Sequence, residues 1–160
     1  MRGTVNAENH DLDRAGLPPL PGSYVLILRL GVPRQITVGR LGAFRLEPGY
    51  YLYSGSALGP GGLRARVGRH LRADKQPHWH IDVLTAAADI TGVWISPGTQ
   101  RLECAQAHSL AALPGINEPI PGFGASDCGC RTHLFRLADD LLDTAWQALG
   151  CPLHLKIAAP

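Results

Sequence analysis

No apolar run in this sequence approaches the ~18–20 residues needed to cross a bilayer as a helix, and none is available for a helical anchor within it. The opening stretch, MRGTVNAENHDLDRAGLPPLPG, is polar and acidic and lacks the apolar core of a secretory signal. These two absences predict a cytoplasmic protein. In such a reducing compartment the four cysteines are expected to be thiols or metal ligands rather than disulfides. Internal repeats and low-complexity tracts are missing too. A large net charge is likewise absent, the formal value being only +2.

That near-neutrality hides an uneven distribution. Residues 22–82 carry nine Lys and Arg against three Asp and Glu, whereas residues 83–160 carry four against seven. A basic first half in an almost neutral chain predicts one surface that faces a polyanion. At 160 residues, 45% of them hydrophobic, the chain is sized for a single domain with a real core. Nineteen glycines and 13 prolines predict short elements and many turns.

Residues 1–20 read as a flexible lead-in ending at LPPLPG. GSYVLILRL, from Gly22, is a near-continuous apolar run rich in β-formers and predicts a strand buried on both faces. GVPR reads as a turn, QITVG as a second strand, and FRLEPGYYLYSG as a third stretch, a Pro-Gly turn and a tyrosine-rich strand, together a small meander. In GLRARVGRHLR (Gly62 to Arg72), Leu63, Val67 and Leu71 form one helical stripe with Arg66 and His70 along its border. Arg69 and Arg72 point away from that stripe, toward solvent. ITGVWIS predicts another strand. GTQRLECAQAHSLAALPG predicts a helix with its stripe at Leu102, Ala105, Ser109, Ala112 and Leu113. A glycine-rich loop, PGFGASDCGC, is followed by a strand THLFRL, a helix ADDLLDTAWQALG and a strand LHLKI. Strands before and between helices make an α+β domain, with a small, mostly antiparallel sheet flanked by helices.

Three constellations could carry chemistry. The first is tyrosine-based: GSY (Gly22 to Tyr24) opens one strand and YSG (Tyr53 to Gly55) closes another, each with a glycine that thins the backbone where a ligand could approach. Read structurally, the same tyrosines are amphipathic strand residues. The second is HWHID, which in a strand would put His78, His80 and Asp82 on one face as a metal or phosphate cluster, with Trp79 turned into the core. Its bland reading is a polar support in which Asp82 orients a histidine. The third is CGCRTH, whose Cys128, Cys130 and His133 form C-x-C-x2-H, tighter than ordinary zinc knuckles and without a clear second pair. Cys104 is the candidate fourth ligand. Zn²⁺ binding, a shaped loop with buried thiols, and a thiol hydrolase with Cys128 as nucleophile and His133 as base all remain open at this point.

The order G-x-Y, Y-x-G and then a helix with L-x-x-R, here Leu63 to Arg66, resembles the GIY-YIG nuclease superfamily. The blocks GLRARVGRHLR, HWHIDVL, a Glu103-Cys104 pair opening a helix, and GFGASDCGCRTHLF narrow the resemblance. They are similar to an uncharacterised branch known mostly as a domain of unknown function and in part as Uri-type endonucleases. The resemblance covers residues 21–137, with 138–160 expected to complete the same domain. Serine stands at the middle of both tyrosine motifs, where the superfamily usually has an apolar residue. The tyrosines lie 29 positions apart (24 to 53), wider than usual, which implies an inserted strand.

The resemblance implies a DNA endonuclease dependent on Mg²⁺ or Mn²⁺. Tyr24 and Tyr53 would form the base-side pair, Arg66 the phosphate clamp, His70 an auxiliary donor or proton carrier at the rim, and Glu103 the metal ligand. His78, His80, Asp82, Ser126 and Asp127 are candidates for support or substrate contact, and Arg64, Arg69 and Arg72 for the nucleic-acid surface. The chemistry has its own logic. A phenol of ordinary pKa ~10 is a poor base unless cations favour phenolate, Arg66 would supply such a field, and one carboxylate suits Mg²⁺. The alternatives are a nucleic-acid-binding module without turnover and the Cys128-centred zinc or thiol hydrolase.

Overall fold

The run Gly22–Leu30 forms the strand its composition predicts, and the main sheet is assembled around it. The computed structural model describes Asp11–Leu12 and residues 16–157. Along the chain the strands are β1 (Asp11–Leu12), β2 (Gly22–Leu30), β3 (Arg34–Val38), β4 (Gly42–Leu46), β5 (Gly49–Ala57), β6 (Asp89–Pro97), β7 (Leu134–Leu137) and β8 (Leu153–Ile157). The α-helices are α1 (Gly62–Leu71), α2 (His80–Thr85), α3 (Glu103–Ala111) and α4 (Leu142–Ala148). The main sheet has the order β1-β8-β6-β2-β5-β7. Every pairing in it is antiparallel except that of β1 with β8. The fold is α+β. No helix among the described residues is long and apolar enough to cross a membrane.

The meander is not continuous. β2 pairs along its whole length with β5, from Gly22↔Ala57 to Leu30↔Gly49, and β3 and β4 leave the main sheet as a separate two-stranded ribbon. A nine-residue strand buried on both faces needs a partner of equal length, which β5 supplies. β3, with five residues, buries alternate positions only at its end. The stretch between the two tyrosines is thus widened by a whole hairpin. Leu26 pairs with Tyr53 and Tyr24 with Gly55. The two tyrosines are therefore diagonal neighbours on one face of the sheet.

One core lies on each face. Tyr24, Leu26 and Leu28 of β2 pack with Leu63 and Val67 of α1 and with Ile81 and Leu84 of α2. Val25 and Ile27 pack on the other side with Leu110 of α3, Phe135 of β7 and Ala145 of α4. The α1 stripe is as expected. That of α3 is not, because its buried residues are Gln106, Ala107 and Leu110, while Ala105 and Ala112 are exposed. Alanine and serine carry too little apolar area to choose a helix face, and Leu110 decides it.

The end of the expected flexible lead-in is anchored. Leu17 is fully buried, and the carbonyls of Leu20 and Pro18 accept the first α1 amides, Leu63 N–H at 2.8 Å and Arg64 N–H at 3.1 Å. These are helix donors that otherwise lack partners. Gly62 permits the contact, having φ of 57° and a position where any Cβ would collide with the Leu20 carbonyl. Residues 1–10 and 13–15 lie outside the described residues.

Candidate active cleft and cysteine cluster

β2 and β5 carry the two tyrosines to one end of the sheet, where an open cleft of about 320 Å³ is walled by Tyr24, Tyr53, Arg66, Trp79, Glu103 and Asp127 among others. Tyr24 is 1% exposed, and its ring lies across Gly55, where a Cβ would be 2.5 Å from the phenol oxygen. The glycine of YSG therefore makes room for the opposing tyrosine rather than for a ligand. Tyr53 is half-buried, edge-on to Phe123 with centroids 5.9 Å apart.

His70 is not at the rim. It is 2% exposed, beneath the tyrosines, with Nε2 2.7 Å from the Tyr24 hydroxyl. Burial lowers its pKa to about 3, with Lys75, Arg66 and Arg69 adding to the effect and Asp82 opposing it. The neutral ring shares one proton with the phenol through Nε2, while Nδ1 has no hydrogen-bond partner among the described residues. Burial also raises the Tyr24 phenol well above its ordinary range, and the nearby Tyr53 and Glu103 push the same way against Arg66. The Tyr53 phenol is raised for the same reasons, burial first and then Glu103. Both phenols are protonated at neutral pH.

The HWHID block is the start of a helix, not a strand, so His78, His80 and Asp82 do not form a cluster. Asp82 lies in the first turn of α2, and its Oδ2 accepts the backbone N–H groups of His78 at 2.7 Å and Trp79 at 3.0 Å. Arg69 grips the same carboxylate with two bonds, of 2.8 and 3.0 Å. Burial pushes the Asp82 carboxyl up, but these donors outweigh it and hold the pKa at about 2. Arg69 is therefore a tied structural group with a side chain 19% exposed, not a free solvent-facing cation. Trp79 lies at the cleft wall, with the guanidinium carbons of Arg66 and Arg69 at 4.4 and 4.3 Å from its ring centroid. Arg66 is half-buried and held by that stacking with its fork in the cleft.

Glu103 begins α3 at the same cleft, with Arg101 3.5 Å from its carboxylate. Two residues missed in the sequence set its place. Ser23 Oγ accepts the Leu102 N–H at 2.9 Å, and Ser54 Oγ donates to the Glu103 carbonyl at 3.1 Å. Both serines are buried. They are the middle residues of the two tyrosine motifs, and a hydroxyl at a position fit for an apolar side chain was the available signal.

Behind Glu103, Cys104, Cys128, Cys130 and His133 bring one ligand atom each to within 4.8 Å of one another. This Cys3His group could hold a metal such as zinc. Cys128 Sγ is 3.2 Å from His133 Nε2, and His133 Nδ1 is 2.8 Å from Ser54 Oγ. Burial pushes the Cys104 thiol up, and that of Cys130 to about 12, with neighbouring thiols contributing. All four cysteines of the chain are free.

Every cleft and cluster residue falls inside the stretch 23–150, which matches the family described as Domain of unknown function DUF123. The chain belongs to that family. No curated protein and no solved structure matches it. In this DUF123 domain the remaining candidates are scattered. His80 Nδ1 accepts the Gly124 N–H at 3.0 Å, and exposed His78 stacks against Trp79. Asp127 reaches the cleft, whereas Ser126 is exposed and does not line it. Arg64 donates to the Leu17 carbonyl at 2.7 Å, and Arg72 is exposed.

Proposed function

We propose that this DUF123 domain is a GIY-YIG-type endonuclease that hydrolyses phosphodiester bonds in DNA with a divalent metal. The observation that carries the reading is the convergence of Tyr24, Tyr53, Arg66 and Glu103 on one cleft, from β2, β5, α1 and α3. These are the residues that the resemblance to the superfamily singles out, and they are distant in sequence.

Arg66 grips the phosphoryl oxygens, and its stacking on Trp79 orients the guanidinium before substrate arrives. Glu103 offers one hard oxygen ligand at the cleft wall, the donor type that Mg²⁺ and Mn²⁺ take. Bound there, the ion supplies Lewis-acid stabilisation of the leaving oxygen. The protonated phenols of Tyr24 and Tyr53 orient the attacking water. Tyr24 is the better placed to pass a proton inward, since its hydroxyl already touches His70 Nε2. The low basicity of His70 makes that transfer uphill until charge develops at the phosphate.

The test is turnover of labelled duplex, flap and single-stranded DNA with Mg²⁺ or Mn²⁺, beside a chelated blank. Arg66→Ala and Glu103→Gln are each expected to lose on the order of 100-fold or more in rate, as deletion of one transition-state donor does. Activity that survives chelation, or equal activity in wild type and Arg66→Ala, would refute the assigned roles. A folded, metal-supplied wild type that binds these DNAs and cleaves none would make the domain a nucleic-acid-binding module.

A further inference from the structure

We infer that Cys104, Cys128, Cys130 and His133 bind a structural Zn²⁺ that fastens the start of α3 and the loop 122–133 to β5. This holds or fails independently of the cleavage reaction proposed above.

Distance supports it first. Tetrahedral Zn²⁺ with Zn–S bonds of about 2.3 Å places its sulfurs about 3.8 Å apart. The four ligand atoms already lie within 4.8 Å of one another, so closure onto an ion takes shifts of about an ångström or less. Four protein ligands leave no open position, which is the pattern of a structural rather than a catalytic zinc.

The hydrogen bonds around His133 give an independent argument. The Ser54 hydroxyl has one proton, and it goes to the Glu103 carbonyl. Ser54 Oγ can then only accept from His133, so Nδ1 carries the ring proton and Nε2 keeps a lone pair. That lone pair faces Cys128 Sγ and the other sulfurs. This is how a ligating histidine is set, its second nitrogen bonded to an outer partner. His133 is also 1% exposed, so its orientation is fixed before any ion arrives.

The loop itself needs a fastener. Beyond buried Phe123, residues 124–131 are all exposed or half-buried, and of their side chains Cys130, itself a cluster member, packs against the core. The loop closes through the Gly122 N–H on the Arg131 carbonyl and the His133 N–H on the Phe123 carbonyl. Binding expels the three thiol protons and leaves the imidazole neutral, giving a site of net charge −1. The 3.2 Å contact of Cys128 with His133 alone would also suit a thiol nucleophile and its base. Two further thiols in the same space serve no purpose in that reading and complete a cage in this one.

The experiment uses the full chain purified under reducing conditions without chelator. Elemental analysis is expected to find one zinc per chain. After zinc removal, titration with Co²⁺ is expected to give tetrahedral visible bands and a near-ultraviolet thiolate-to-cobalt transition, both abolished by added Zn²⁺. Cys104→Ser and Cys128→Ser should lose at least tenfold in Co²⁺ affinity, while Cys151→Ser, at an exposed site outside the cluster, should keep it. If the serine variants do not fold, the wild-type cobalt spectrum still decides. Zinc should also protect Cys104, Cys128 and Cys130 together from alkylation. A folded wild type with no zinc and no thiolate–cobalt transition overturns the inference. So does rapid alkylation of Cys128 alone in the zinc-loaded protein, which identifies a thiol nucleophile instead.

Discussion

Arg66 and Arg69, three residues apart on α1, should separate function from stability when each is changed to alanine. Arg69 holds the carboxylate of Asp82, a side chain only 1% exposed, and the pKa of about 2 measures how strongly its surroundings favour the charged form. Against an ordinary value of about 3.9, that depression amounts to between about 2 and 3 kcal/mol, shared among Arg69 and two backbone amides. Removing one partner of a buried pair commonly costs about 3–5 kcal/mol. Because the His78 and Trp79 amides still bond Asp82, the lower end applies, near ~3 kcal/mol with the lost stacking on Trp79 included. For a domain of this size that corresponds to a fall in Tm of roughly 6–12 °C. Arg66→Ala loses stacking on Trp79, about 0.5–1 kcal/mol, and its charge beside the Tyr24 phenol, but it strands no buried carboxylate and should lose turnover. Urea unfolding at pH 7 gives both stabilities, and a double-mutant cycle with Asp82→Asn should return a coupling above about 1.5 kcal/mol. The Asp82 contribution is present above pH ~4 and fades as pH falls toward 2, so the deficit of Arg69→Ala should shrink in acid. If Arg69→Ala is no less stable than Arg66→Ala, the pair does not hold α1 to α2 and the reasoning fails.

The buried neutral His70 makes the fold acid-sensitive. Its pKa is lowered to about 3, so the unfolded chain binds the extra proton first, and stability is full above pH ~6.5 and declines as pH falls toward 3. By pH 5 the loss should reach ~2 kcal/mol, and a flat thermal-melting profile between pH 7 and 5 would contradict it. Ser54→Ala should weaken metal binding at the cysteine cluster about 10–100-fold, because His133 loses the partner that sets its tautomer. Ser23→Ala, which loses only the Leu102 bond, should leave that affinity unchanged in the same cobalt titration. If the domain binds duplex DNA, Arg72→Ala should reduce the log–log salt slope by ~0.9 for each phosphate that Arg72 neutralises. Folded Arg69→Ala should leave that slope unaltered, since its charge is already spent on Asp82.

What the sequence determined by itself is what local pattern encodes. The doubly buried β2, the Leu63–Val67 stripe of α1 and the α+β class all follow from apolar spacing, which acts over a few residues. The candidate residues were legible as types, because few side chains can clamp a phosphate or ligate a metal. Only the tertiary structure decided who meets whom. HWHIDVL turns into a helix at His80 because the Asp82 carboxylate takes the His78 and Trp79 amides just before it and draws in Arg69, a bond across 13 residues that no periodicity announces. Gly55 is a glycine because a tyrosine 31 positions away lies over it (24 to 55). Ser23 and Ser54 look like misplaced polar residues in strands until α3 arrives to take their hydroxyls. The four ligands of the cysteine cluster come from two segments separated by more than twenty residues, Cys104 on one and Cys128 to His133 on the other. Whether they converge depends on how strands from distant parts of the chain pair, and that is settled by burying both faces of β2 at once.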